Sequence, residues 1–202
     1  MTLLRPLIPF AAVPLLAAAA PSPELAQVQQ HLRAVQTMTA AFMQTDAKGR
    51  SVTGTLLLKR PGKVRFQYQK GVPLLVVGDG GALTMIDYQV RQVSRWPIGK
   101  TPLGLLLDPS RDIATVARII PSGSPELLLL AGADPKHREY GSIVVGFQRS
   151  ADAPGGLMLA GWTVTDNQNN RTTVRLSGQK LNVAISDDQF RWSDPRRQGP
   201  RG

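Results

Sequence analysis

Residues that could carry acid–base, nucleophilic or metal chemistry are few and scattered in this sequence. The chain has no cysteine and two histidines, His31 and His137, and neither has a partner at metal-ligand spacing. We therefore predict both histidines to be surface residues. The sequence contains no Gly-x-Ser-x-Gly elbow, no P-loop and no dinucleotide-binding fingerprint. Four aspartates stand beside glycine or proline, as is typical of turns: Asp79, Asp108, Asp134 and Asp194.

These observations predict a protein that is not an enzyme and that holds no metal and no cofactor. Sequence alone leaves open that two carboxylates meet in space. One cation has a more suggestive position, because Arg60 stands at the junction of two apolar strands. Two interpretations of Arg60 remain open here: a solvated turn residue, or a latch that holds neighbouring segments by hydrogen bonds.

The segment around Arg60, residues 53–69, is predicted to be a β-hairpin. Pro61-Gly62 suits the centre of a type II turn, since proline presets φ and glycine accepts the positive φ that follows. Val64 and Phe66 alternate with charged or amide residues on the outgoing strand, which indicates one dry and one wet face. Leu56 and Leu58 share one face of the incoming strand.

The elements that would position this hairpin begin with a helix. Ser22 can cap it, and Pro23 and Glu24 suit its first turn. Apolar residues then recur every three or four positions, which predicts one amphipathic helix of about six turns that ends near Thr45.

Short strands with tight turns between them follow the helix, and they predict an antiparallel meander that includes Met85. The segment TPLGLLL, residues 101–107, is interrupted by Gly104 and followed by Asp108-Pro109, and we predict it to be a short helix or a loop. It is either core filler or a movable lid, and a second short helix is expected near residues 112–117. The predicted fold is α+β and mostly β: a strongly curved antiparallel sheet of about ten strands, or an incomplete barrel, wrapped round a long N-terminal helix and short helices.

Composition and charge limit the class of partner. The chain has 202 residues, is 42% hydrophobic and carries a formal net charge of +10, which is compatible with an anionic partner or surface. The basic residues are dispersed, and no basic helix or aromatic stacking motif accompanies them, so nucleic acid is not expected as a partner. The densest basic run is Arg196, Arg197 and Arg201, in a segment (195–202) that we predict to be disordered.

The N-terminus is typical of a secretory signal. Arg5 supplies the positive charge, residues 7–16 supply a short apolar core, and Ala17 and Ala19 supply the small residues that precede a cleavage site. We predict a cleaved signal peptide over 1–19 and a single domain over 20–194. A membrane anchor is the alternative, and the prolines in the apolar run disfavour it.

Several motifs together are similar to one known family. They are AAFMQT, then G-x-L-x-L-K-R-P-G-K-x-R-F-x-Y over 54–68, V-x-D-G-x-x-L, Y-x-x-x-Q-V and T-P-L-x-x-L-L. This series resembles the outer-membrane lipoprotein carrier family, LolA, over nearly the whole chain after the signal and most strongly over 39–107. The sequence departs from the family in having few aromatic residues and a markedly basic composition.

The resemblance implies a half-open antiparallel β-barrel with helices that form a lid over a hydrophobic cavity. It implies a monomeric periplasmic carrier of acylated lipoproteins, loaded by an inner-membrane ABC transporter and unloaded to an outer-membrane acceptor. Arg60 matches the family arginine that ties the lid closed. The residues that we assign to the acyl-chain cavity or the lid are Leu56, Leu58, Val64, Phe66, Met85, Leu103, Leu105 and Leu106. The alternatives are a lipid- or peptide-sensing regulatory domain of the same fold and a periplasmic hydrolase, which the missing motifs disfavour.

Overall fold

The structure, a computed structural model, describes residues 22–197. Its main element is one antiparallel sheet of eleven strands in the order β6-β5-β4-β3-β2-β1-β11-β10-β9-β8-β7. The strands are β1 (Thr37–Thr45), β2 (Ser51–Lys59), β3 (Lys63–Tyr68), β4 (Leu74–Asp79), β5 (Ala82–Asp87), β6 (Gln92–Pro97), β7 (Ala117–Ile120), β8 (Leu127–Ala133), β9 (Ser142–Arg149), β10 (Leu157–Thr165) and β11 (Arg171–Leu181).

The sheet is a curved, open layer, and this confirms the predicted fold class, with eleven strands rather than about ten. Pairing of β1 with β11 joins two meanders, and β6 and β7 are the two free edges. Alternate residues point to the concave face, where they form the larger hydrophobic core together with the helices α1 (Pro23–Ala34) and α2 (Gly104–Leu107). The segment after α2 contributes only a short 3-10 turn, Ile113–Thr115.

The predicted six-turn helix is wrong in its second half. Helix α1 begins as expected, with the Ser22 hydroxyl accepting from the backbone N–H of Leu25, but it ends at Ala34 because Val35 is extended. Met38 and Phe42 then lie on β1 and point into the core. Their spacing of four residues satisfies a helical period of 3.6 and a strand period of two equally well, so spacing alone could not place the boundary.

The predicted hairpin forms β2 and β3. Leu56 pairs with Phe66 and Leu58 with Val64, so all four side chains lie on the concave face. Gly62 has φ +72°, as the predicted turn requires.

After β11 the chain crosses the opposite, outer face of β2–β5. We call residues 183–192 the strap. Ile185 and Phe190 of the strap cover Leu75, Val77 and Ile86 and form a second, smaller core. Asp187 accepts from Lys59 Nζ at 2.7 Å and from Lys63 Nζ at 2.9 Å, and these hydrogen bonds lower its pKa to about 2.

The segment predicted to be disordered begins as a short 3-10 turn, Pro195–Arg197, in which Arg196 pairs with Asp194. Residues 198–202 and the predicted signal peptide lie outside the described residues.

Candidate functional site

A small cavity lies between the hairpin and α2. Its volume is about 10 Å³, close to the smallest space that holds one water molecule. Every residue that lines it is apolar, so no polar side chain stands ready to bind a water or an ion there. The lining residues are Leu56, Leu58, Val64, Phe66, Leu103, Leu106, Leu107, Leu159 and Trp162.

Six of the eight residues assigned to the cavity or lid from the sequence line this space. Leu105 does not, because it points from the other side of α2 toward Gly132 and a separate small pocket. Met85 lies on the concave face of β5, paired with Val76 on β4, but it is half-buried and stands outside the cavity toward the β6 edge.

Sequence reasoning missed Leu159 and Trp162, which come from the distant strand β10. The Trp162 ring packs edge-on against Phe66 with the centroids 6.1 Å apart. The alternation in LMLAGWTVT predicts a strand with one apolar face, but it carries no information that this face opposes the hairpin. Only the curvature of the sheet brings β10 over β3.

Arg60 ties the hairpin to both helices. Its side chain is only 6% exposed. Nε donates to the carbonyl of Leu106 at 2.9 Å, and Nη1 donates to the carbonyl of Val35. The backbone adds two hydrogen bonds, from Arg60 N–H to the Gln36 carbonyl and from Gly62 N–H to the carbonyl of Leu107. The hairpin turn therefore holds the ends of α1 and α2 together.

The guanidinium of Arg60 is charged in a desolvated place. Burial lowers its pKa to about 10, so it remains protonated at neutral pH. Within residues 22–197 no carboxylate forms an ion pair with Arg60. Its partners are backbone carbonyls instead, and that of Val35 lies at the negative end of the α1 dipole.

His31 is buried, which corrects the prediction that it is a surface residue. It is 1% exposed, its ring meets Phe147 edge-on at 5.4 Å, and Nδ1 donates to the carbonyl of Pro154 over 2.9 Å. Burial lowers the pKa of His31, and the nearby charge of Arg60 adds to this effect. The sequence did contain a sign of this position, because His31 follows Val28 by three residues and shares its face of the helix.

The described part of the chain offers no grouping of three or more acidic, histidine or cysteine side chains that could bind a metal. His137 is exposed and pairs with Glu139 in a loop, as expected of a surface residue. None of the helices over 22–197 has the length and apolar character needed to cross a membrane.

The chain is similar in sequence to a known family and to several named relatives. The family model described as "Outer membrane lipoprotein carrier protein LolA" matches residues 33–193. The chain is 29% identical to the outer-membrane lipoprotein carrier protein of Chromobacterium violaceum, over 96% of each chain. It is 28% identical to that of Dechloromonas aromatica, over 92% of this chain and 89% of the relative. A LolA superfamily structure from Nitrosomonas europaea covers 86% of this chain and 99% of its own, with a TM-score of 0.44 at 12% identity.

Proposed function

Because this chain belongs to the LolA family, we propose that it is a periplasmic carrier that binds the acyl chains of lipoproteins between its sheet and α2. The observation that carries the proposal is the wholly apolar cavity beneath a short helix that the buried Arg60 holds in place. Leu56, Leu58, Val64 and Phe66 form the floor of the binding site in this proposal, and Leu103 and Leu106 form its lid.

The closed form has no space for cargo. A cavity of about 10 Å³ holds one water molecule at most, so an acyl chain enters only when α2 moves away from the hairpin. That movement breaks the hydrogen bond from Arg60 to Leu106 and the one from Gly62 to Leu107. Arg60 is therefore the latch of the lid in this proposal.

Lipid insertion is favourable enough to open such a latch. Each CH₂ group removed from water contributes about 0.8 kcal/mol, so one C16 chain contributes roughly 12 kcal/mol. A hydrogen bond from a charged donor contributes about 1.5–3 kcal/mol. The latch is thus weak relative to cargo, yet it favours the closed form once the cargo has left.

The carrier would collect lipoproteins from an inner-membrane ABC transporter and deliver them to an outer-membrane acceptor. A triacylated protein cannot cross an aqueous compartment with its acyl chains exposed to water, and an apolar site in the carrier would shield those chains. Aliphatic side chains line most of the site, and they adapt to cargo of varied shape more readily than a rigid aromatic box would.

The proposal is tested by adding purified protein to spheroplasts and measuring soluble lipoprotein in the supernatant. We expect release in proportion to the protein added, without turnover unless an acceptor is present. Leu103→Asp places a charge in the lid and should abolish release. Val90→Asp adds the same charge at an exposed turn residue and should not. If folded protein binds acyl lipid but releases no lipoprotein, the carrier proposal is wrong and a lipid-sensing role replaces it.

A further inference from the structure

The outer face of the sheet is covered over one half and bare over the other. The strap packs on β2–β5 and buries Leu75, Val77 and Ile86. Over residues 22–197 neither hydrophobic cluster includes an outward-pointing side chain of β7–β10. The side chains there are nevertheless largely apolar, and we call this surface the outer apolar face. Its members are Ile120, Leu127, Leu129, Ala131, Val144 and Met158.

Strand register places these side chains beside one another. Ile120 pairs with Leu129, which pairs with Gly146 on the next strand. Leu127 and Leu129 lie over that glycine, because a Cβ built on Gly146 would stand 3.8 Å and 3.6 Å from their methyl carbons. Each of the six is partly exposed, and none belongs to either core cluster. The outer apolar face therefore runs without interruption over β7–β9 and reaches Met158 on β10 across Gln148, and within the described chain it belongs to neither core cluster.

Arginines border this face, and carboxylates are absent from it. Arg118 lies outward beside Ala131 on the β7 side, and Arg171 and Arg175 lie outward on β11. All three are exposed. None of the residues in β1 or in β7–β11 is acidic. Apolar side chains between arginines, on strands that carry no carboxylate, suit a surface that is anionic at its boundary and apolar beneath.

We propose that the outer apolar face docks on the surface of a membrane that contains anionic phospholipid. Guanidinium groups bind phosphate through paired hydrogen bonds, and the aliphatic residues between them would contact the upper acyl region. A second copy of this chain fits less well, because two arginine borders would repel each other. Arg60, the cavity and α2 lie on the concave side, so docking leaves the lid free to move. The inference does not depend on the identity of the cargo.

The test is cosedimentation of the purified protein with vesicles. We expect binding to equal parts of phosphatidylglycerol and phosphatidylethanolamine, little binding to phosphatidylcholine, and weaker binding as salt is added. One cation near an anionic surface strengthens binding about fivefold, so Arg118→Gln/Arg175→Gln should weaken it about 30-fold. Lys70→Gln/Lys100→Gln removes the same charge from exposed positions elsewhere and should weaken it far less.

A third variant tests the apolar part of the face. Leu129→Gln keeps the charge and should weaken vesicle binding severalfold, with the unfolding midpoint measured to confirm the fold. If the double arginine variant and the double lysine variant lose the same vesicle affinity, net charge alone drives binding. That result would overturn the proposal. Absence of vesicle binding would also overturn it. Arginine-dependent binding to soluble polyglutamate without vesicle binding would instead assign the face to an acidic protein.

Discussion

Replacing Arg60 by leucine should make the protein hold acyl ligands more tightly and release them more slowly. Leucine preserves apolar contacts at the hairpin but donates no hydrogen bond. The carbonyls of Leu106 and Val35 then lose the donor that holds them in the closed form. In an open form the Leu106 carbonyl can bond to water, so the substitution penalises the closed form specifically.

The size of the effect follows from the hydrogen bond that opening breaks. Movement of α2 separates the Leu106 carbonyl from Arg60, and a hydrogen bond from a charged donor contributes about 1.5–3 kcal/mol net of desolvation. The lower value corresponds to roughly a tenfold bias toward the closed form. A ligand that binds only the open form loses that factor in affinity, and the variant should recover it.

The assay is titration with a fluorescent fatty acid, followed by dissociation into an excess of vesicles. Arg60→Leu should lower the Kd about tenfold and slow dissociation by a similar factor, as the energies above require. Arg60→Lys retains a charge but loses the guanidinium fork. Its Kd and dissociation rate should lie between those of the unaltered protein and those of Arg60→Leu. Arg50→Leu is the matched control, because Arg50 is an exposed residue paired with Asp46 at the opposite end of β2 from Arg60.

An unchanged Kd in Arg60→Leu, with an unchanged circular dichroism spectrum, would refute the reasoning. It would show that the hydrogen bonds from Arg60 position the hairpin without biasing the lid. Weaker binding by a folded variant would refute it more strongly, since the side chain would then contribute to the bound form.

Three further predictions concern stability. Burial lowers the pKa of His31, so the folded protein binds a proton there less readily than the unfolded chain does. The contribution of neutral His31 to stability is therefore complete above pH ~6.5, the pKa of an unperturbed histidine, and is lost as the pH falls below that value. His31→Asn can still donate to Pro154 and should show a weaker dependence of the thermal midpoint on pH. Phe190→Ala removes the main aromatic of the strap and should cost about 3–5 kcal/mol in denaturant unfolding, with β2–β4 exchanging amide hydrogens faster. Gly54→Ala would place a Cβ 2.2 Å from the carbonyl of Gln67, so the strands must shift, and a loss of at least 1–3 kcal/mol, roughly, is expected in the same assay.

The local elements of this protein were predictable from its sequence. The hairpin around Arg60 follows from Pro61-Gly62 and from alternation on both sides, because turn geometry and a period of two act over a few residues. The alternation of apolar residues in SIVVGFQR predicts a strand, and this segment forms β9 (Ser142–Arg149). The motif over 54–68 indicated the family together with the shorter motifs before and after it.

Positions that depend on distant packing were not predictable in the same way. The end of α1 was missed because the residues after Ala34 fit either period, and pairing of β1 with both β2 and β11 decides between them. His31 was misplaced because its partner, Pro154, lies 123 residues away.

The tertiary structure alone also decided which residues meet at the site. Arg60 could be a solvated turn residue or a latch until the carbonyls of Val35 and Leu106 were placed against it, 25 and 46 residues away along the chain. Trp162 reaches the cavity only because the sheet curves. A strand's alternation records which side chains share a face, whereas the identity of the opposing surface depends on contacts between segments that the local pattern does not encode.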